Sequence, residues 1–208
     1  MNGIVRRHID VLKHNHIYNA AVLVVHIPTG QVRAYVGNGP KVRDDGGNQV
    51  DIITSNRSSG SILKPVLYAL MLQSGYILPG TIVSDVPSRF GGYVPSNFNK
   101  DFQGIVPADK ALSMSLNIPF VRLLREYGVE HFYDDLKKMG ITTLNRKAEN
   151  YGLSLILGGA ECKLWDLCNM YGGMASILRH YNECDGTSFS HEFRRLRLWA
   201  GEQVDSVE

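Results

Sequence analysis

Residues 62–72 read Ile-Leu-Lys-Pro-Val-Leu-Tyr-Ala-Leu-Met-Leu. An apolar run of this length is too long for a typical strand and has to be buried, which leaves a core helix. We expect that helix from about Ser61 to Ser74, closed by Gly75. Pro65 constrains where it starts. The first helical N–H groups have no intrahelical partner, so a proline there loses no bond, and the N-terminus is placed at about Gly60-Ser61. Lys64 is the only charge in the run. Its apolar neighbours Leu63, Val66 and Leu67 would strip water from the ammonium and lower its pKa, leaving a fraction as free amine.

The rest of the chain can supply a core for such a helix. Of 208 residues, 44% are hydrophobic and 20% charged, the mix of a folded domain of ordinary size and not of a disordered chain. Three cysteines are too few for a disulfide-built scaffold. A formal net charge of +2 provides no strong field for nucleic acid. Residues 1–13 lack the apolar stretch of a signal peptide, and no segment approaches the ~20 apolar residues that span a bilayer. The chain itself is therefore expected to be soluble and to carry no address.

Asn19–His26 and Gln31–Gly37 are valine-rich and flank Pro28-Thr29-Gly30, the pattern of a β-hairpin. The first strand reads as buried on both faces. The second alternates Val32, Ala34 and Val36 with Gln31, Arg33 and Tyr35, so one of its faces should be wet. Residues 76–106, with Pro79, Pro87, Gly91, Gly92, Pro95 and Gly104, read as one long loop, a length that often signals function. Helices are expected over Ala108–Met114, Ile118–Glu126 and Val129–Met139, the last stopped by Gly140. A turn is expected at Gly158-Gly159. A final helix over Cys162–His180 has a weak point at Gly172-Gly173, and the tail from Asn182 has no clear pattern. Strands followed mostly by helices predict an α+β fold with helices packed on a sheet.

Two pairs of residues could carry chemistry. Ser61 is a weak nucleophile that needs a base. At helical spacing i, i+3, Lys64 would share a face with it and reach its Oγ. The helix N-terminus would favour a developing oxyanion, and Ser58-Ser59-Gly60 makes a tight approach to it. The second pair is Ser115 and Asn117, in Ala-Leu-Ser-Met-Ser-Leu-Asn-Ile-Pro between two helical segments. There a hydroxyl could relay a proton and an amide could hold a peptide group. In a chain of this composition each spacing arises by chance about once, so neither decides anything alone. Taken alone, the first pair is better explained by an N-capping serine and a snorkelling lysine, and the second by ordinary helix capping. His14 and His16, without further ligands, read as surface residues. Cys162 and Cys168, six apart on one expected helix, do not face each other as a redox pair. Arg194, Arg195 and Arg197 read as a solvated face. Tyr93 and Asn97 could line a groove or tether the loop.

The order of four blocks decides between these readings. Residues 57–68 (RSSGSILKPVLY) resemble the Arg-x-Pro-Gly-Ser-x-x-Lys-Pro segment of penicillin-binding proteins. Residues 93–104 (YVPSNFNKDFQG) are similar to the family's Tyr-x-Pro-x-Asn loop. Residues 111–119 (ALSMSLNIP) are similar to its Ser-x-Asn segment, and residues 151–159 (YGLSLILGG) to a further stretch. With the hairpin, the resemblance covers about residues 19–180 and looks closest to the class A, 1C type. Two departures stand out. Ser59 occupies a position where the family pattern has proline. No lysine is followed by Thr-Gly or Ser-Gly, the family's third motif, and Cys184-Asp185-Gly186-Thr187-Ser188 is only a chance echo of it.

The resemblance implies a penicillin-binding transpeptidase fold, an antiparallel sheet with helices on both sides, here incomplete. Residues 1–18 would be a leading segment, 19–181 a partial transpeptidase domain and 182–208 an atypical tail. It also implies D,D-transpeptidase chemistry. Ser61 would be acylated by D-Ala-D-Ala stem peptides of peptidoglycan, Lys64 would be the general base, Ser115 the proton shuttle, and Asn117 would hold the donor amide. β-Lactams would trap Ser61, and no metal or organic cofactor would be needed. The parent protein would work on the periplasmic side of the bacterial inner membrane, held there by a part preceding these residues. The alternative is a non-catalytic fragment that at most binds muropeptide or a partner. A serine β-lactamase shares Ser-x-x-Lys, but the Ser115-x-Asn117 context leans away from it.

Overall fold

The elements follow in chain order as α1 (Asn2–Leu12), β1 (Val22–His26), β2 (Gln31–Val36), β3 (Arg57–Ser58), α2 (Lys64–Gln73), β4 (Ile82–Asp85) and β5 (Gly104–Pro107). They continue as α3 (Ala108–Ser113), α4 (Asn117–Tyr127), α5 (Val129–Lys138), α6 (Ala148–Tyr151), β6 (Glu161–Cys162) and α7 (Leu164–Glu183). They are taken from a computed structural model that describes residues 1–41, 46–187 and 195–198. Helices with small antiparallel sheets make the architecture α+β, as expected. The chain forms two compact units, Met1–Asn56 with Lys163–Glu208, and Arg57–Cys162.

In the first unit, β1 and β2 form the expected hairpin, closed by Gly30 at φ 66 with its N–H donating to the His26 carbonyl at 2.9 Å. The alternation in β2 holds: Val32 and Val36 are buried while Arg33 and Tyr35 are exposed. The expectation for β1 does not. Val24 is 37% exposed and His26 is exposed, because β1 pairs only with β2 among the described residues and only part of it is covered. The leading segment forms α1, whose Val5 and Ile9, one turn apart, pack on Val36, Ala20 and Val22. Helix α7 runs through Gly172-Gly173 without a break. Two glycines cost about 2 kcal/mol of helix propensity, which packing of a 20-residue helix can offset. Beyond it, Arg197 pairs in parallel with Gln31: the Val32 N–H donates to the Arg197 carbonyl and the Arg197 N–H to Gly30. Arg195 and Arg197 are exposed, whereas Ser188 and Arg194 lie outside the described residues.

In the second unit, α4 is central. Ile118, Phe120, Val121, Leu123 and Leu124 are buried, and the helix packs on α2, α3, α5, β4 and the 3-10 turn Gly152–Leu157. Helices α3, α4 and α5 fall within a residue or two of their expected bounds, with Gly140 at φ 95 ending α5. The stretch 76–106 is not all loop. Ile82–Asp85 and Gly104–Pro107 pair antiparallel, Asp85 opposite Gly104, so the loop proper is 86–103 and both its ends are held together. Cys162 lies on β6 and Cys168 on α7, so the two do not share the last helix.

Gly158 shows how closely this unit is packed. At φ 97, a Cβ there would lie 2.5 Å from Ser58 Oγ and 2.8 Å from the Gly60 nitrogen. Gly152 also has positive φ, 52, but open space around it. Gly158→Ala is therefore expected to destabilise the domain by at least about 2 kcal/mol, against about 1 for Gly152→Ala. Urea unfolding of both variants measures the difference; equal losses would show that the backbone contact is unimportant.

Candidate active site

Ser61 is reached through a clamped strand. β3 pairs with β6, the Ser59 N–H donates to the Ala160 carbonyl at 3.0 Å, and Ser58 Oγ donates to the Gly158 carbonyl at 2.8 Å. Gly60, at φ 55, then turns the chain. Ser61 is half-buried and lies outside the helix, in a turn where the Lys64 N–H donates to its carbonyl at 3.1 Å. Helix α2 begins at Lys64, with Leu63 as N-cap and Pro65 in the first turn. The start is thus three residues later than expected, because the first bonds are i to i+3 and the first α-helical bond runs from the Leu67 N–H to Leu63. Pro65 still loses no bond.

The shift has a consequence for the first pair. Ser61 and Lys64 are not stacked on a helical face, and no hydrogen bond joins Lys64 Nζ to Ser61 Oγ. Instead Lys64, 1% exposed, donates to the Ser115 carbonyl at 2.7 Å, to Ser115 Oγ at 3.3 Å and to Asn117 Oδ1 at 2.7 Å. The Phe120 ring lies 5.7 Å away. Among the described residues no carboxylate pairs with Lys64. Burial pushes its pKa down from 10.5 to about 8.

Ser115 and Asn117 lie where the sequence places them, between α3 and α4. Ser115 is exposed and held at φ 52, a conformation an L-residue adopts at a cost of roughly 1–2 kcal/mol. That geometry turns both its carbonyl and its hydroxyl toward Lys64. Asn117 is the first residue of α4. Its Nδ2 donates to the Ser96 carbonyl at 2.7 Å, and its N–H donates to Asn97 Oδ1 at 2.8 Å. With Oδ1 on Lys64, its amide keeps one hydrogen and one lone pair for a ligand.

The sequence reading missed what stands behind Asn117. Asn97, 3% exposed, donates through Nδ2 to both Asp85 oxygens at 2.9 and 3.0 Å and to the Asp101 carbonyl at 2.9 Å. Of the two roles open to Asn97, the tether is the one the structure shows. Its place in the Tyr-x-Pro-x-Asn block was the available signal. Nothing in the sequence singled out Asp85. Tyr93 exchanges backbone hydrogen bonds with Phe90 and is half-buried. His14 and His16 are exposed, and His16 hydrogen-bonds Tyr18. No cluster of three or more His, Cys, Asp or Glu able to hold a metal occurs among the described residues.

Residues 20–155 match the family model of the penicillin binding protein transpeptidase domain. The chain belongs to the penicillin-binding protein transpeptidase domain family. It is 39% identical to penicillin-binding protein 1C of Escherichia coli over 155 residues, 74% of this chain and 20% of that protein. It is 32% identical to penicillin-binding protein 1B of Vibrio cholerae over 159 residues, 73% of this chain and 20% of that protein. The chain thus spans about a fifth of the length of these relatives. Its fold matches that of penicillin-binding protein 1A of Haemophilus influenzae with a TM-score of 0.64 at 22% identity, over 76% of this chain and 23% of the other. It matches PonA1 of Mycobacterium tuberculosis in complex with penicillin V with a TM-score of 0.65 at 22% identity, over 83% and 49%. The penicillin-binding transpeptidase fold expected from the motifs is therefore the fold of this chain. Among the described residues no helix is long and apolar enough to cross a membrane.

The lowered Lys64 pKa has a stability signature. Below pH 8 both folded and unfolded states carry the proton, and the folded state bears the full penalty of burying the charge. Between pH 8 and 10.5 the folded state sheds its proton first, so this penalty fades and stability rises. Across that window the unfolding free energy of the wild type should gain about 3 kcal/mol relative to Lys64→Met. Urea unfolding at pH 7.5 and 10.5 measures it; a pH-independent difference would mean that Lys64 is not buried in its charged form.

Proposed function

We propose that this domain performs D,D-transpeptidation through an acyl-Ser61 intermediate. Ser61 Oγ attacks the carbonyl of the penultimate D-Ala of a peptidoglycan stem. Its proton passes to Lys64 Nζ, and the Oγ–C bond forms. The C–N bond to the terminal D-Ala then breaks, and the leaving amine takes a proton from Lys64 through Ser115 Oγ. An amine of a neighbouring stem next attacks the ester, cross-linking the two stems and restoring Ser61. Asn117 holds the donor peptide with the amide hydrogen that Ser96 leaves free.

The observation that carries this reading is the contact of buried Lys64 with Ser115 and Asn117, residues more than fifty positions away in the chain. A buried amine with a pKa of about 8 supplies free base near neutral pH, and Ser115 is already at its side. The resting Lys64 must turn from Ser115 toward Ser61 for the first proton transfer. Membership of the penicillin-binding family and the penicillin V complex of PonA1 support β-lactams as covalent inhibitors. The family also supports a place outside the cytoplasmic membrane, in cell-wall cross-linking.

A second reading is binding without turnover. It is favoured by the missing Ser61–Lys64 hydrogen bond: Lys64 Nζ spends its donors on Ser115 and Asn117. A fluorescent penicillin separates the two. Transpeptidase chemistry predicts covalent label on the wild type, none on Ser61→Ala, and an acylation rate that rises with pH through about 8 as Lys64 loses its proton. Folded wild-type chain that takes up no label would refute acylation and leave the binding reading.

A further inference from the structure

Asp85 is fully buried, and among the described residues no lysine, arginine or histidine pairs with it. A buried carboxylate without a cation costs several kcal/mol unless N–H donors replace its water. Three hydrogen-bond contacts do so here. Two are the branches of one bifurcated bond from Asn97 Nδ2, and the third comes from the Gln103 N–H to Oδ2 at 2.9 Å. Asp85 stands at the end of β4, opposite Gly104 on β5, where loop 86–103 opens. Its carboxylate therefore grips that loop at its far end, Gln103, and within it, at Asn97.

Asn97 passes this order on. Both hydrogens of its Nδ2 are engaged, on Asp85 and on the Asp101 carbonyl. Its orientation is unambiguous, since a flipped amide would set NH₂ against the Asn117 N–H and oxygen against a carboxylate. Oδ1 consequently points at the Asn117 N–H, one of the donors that the start of a helix leaves without an intrahelical partner. This is an N-terminal cap supplied from a loop 20 residues away. The Ser96 carbonyl, one residue earlier, takes Asn117 Nδ2. Loop residues 96 and 97 thus fix the backbone and the side chain of Asn117 together, and with them the oxygen that accepts from Lys64.

We propose that Asp85 and Asn97 are positioning residues for acyl transfer: Asp85 orients the Asn97 amide, Asn97 sets Asn117, and Asn117 sets Lys64. The proposal rests on the acyl-Ser61 reading above and adds to it two residues that touch neither substrate nor nucleophile. A purely structural cap would affect folding alone. A positioning chain acts through Asn117 and vanishes when Asn117 has no side chain to place.

The test is acylation of the 208-residue chain by a fluorescent penicillin, with melting temperatures measured in parallel. Asn97→Ala is expected to slow the acylation step at saturating penicillin about ten-fold, the scale of one lost buried hydrogen bond. Asn117→Ala should slow it at least as much. The double variant should be no slower than Asn117→Ala alone, the non-additivity of residues acting in series. Multiplying losses, or an unchanged rate in folded Asn97→Ala, would overturn the proposal. If Asn97→Ala does not fold, Asp85→Asn keeps the shape and one acceptor oxygen. It should slow acylation about three-fold and again add nothing to Asn117→Ala. If the wild type takes no label, the acyl-transfer reading falls and the clamp is judged separately by ¹⁵N NMR. Asn97→Ala must then move the Lys64 ammonium and Asn117 amide resonances, and an unmoved Lys64 signal would refute the chain of contacts.

Discussion

An ammonium group taken out of water must find acceptors or lose its proton. Lys64 is carried inward by the same apolar run that makes α2 a core helix, and the surrounding structure is arranged around that burden. Its acceptors are neutral oxygens of Ser115 and Asn117, with no carboxylate among them. A paired carboxylate would hold the ammonium and raise its pKa; neutral acceptors only soften the desolvation, so burial dominates and the pKa falls. The choice of partners therefore leaves Lys64 able to exchange a proton near neutral pH. Each acceptor imposes its own condition. Ser115 must sit at φ 52, and Asn117 must begin α4 with its N–H capped from outside the helix.

Those conditions explain why the loop before α3 is built as it is. Asn97 caps Asn117, Asp85 orients Asn97, and the pairing of β4 with β5 brings the ends of the loop together around Asp85. Asp85 and Asn97 at the centre of this network are buried, and every donor of the Asn97 amide meets an acceptor. Networks of this kind are favourable only when complete, since one missing partner leaves a desolvated polar group. The order runs from a short sheet to a loop, to a helix start, to a lysine.

Local chemistry made much of this legible in the sequence. The hairpin follows from its valines and Gly30, and the end of α5 follows from Gly140, because those signals act over a few residues. What escaped depends on contacts between distant positions. β4 and β5 are four residues each, and neither has a pattern that announces a partner some twenty residues away. The i, i+3 spacing of Ser61 and Lys64 puts them on one face only in a helix that begins at the serine. Gly60 and the turn bond from Lys64 to Ser61 delay that helix, so the spacing survives while the face it implied does not. Ser61, Lys64, Ser115 and Asn117 were all named from the sequence, but the contact that joins the pairs runs from Lys64 to the second pair and not to Ser61.

Ser59 shows how the segment before Ser61 absorbs a departure from the family pattern. A proline at this position would have no N–H to give the Ala160 carbonyl, a bond this chain makes at 3.0 Å. In exchange the serine brings a hydroxyl that is buried without a partner. One hydrogen bond contributes about 1 kcal/mol, and an unsatisfied buried hydroxyl costs about 1–3 kcal/mol, so the serine is at best neutral for stability. What keeps the approach to Ser61 in place must then lie in its neighbours. Ser58 donates to the Gly158 carbonyl and accepts from the Gly60 N–H, and Gly158 has no Cβ to push Gly60 away. The turn carrying Ser61 is therefore set by the contact of Ser58 with a glycine a hundred residues on, and a serine in place of the family's proline at position 59 leaves that contact intact.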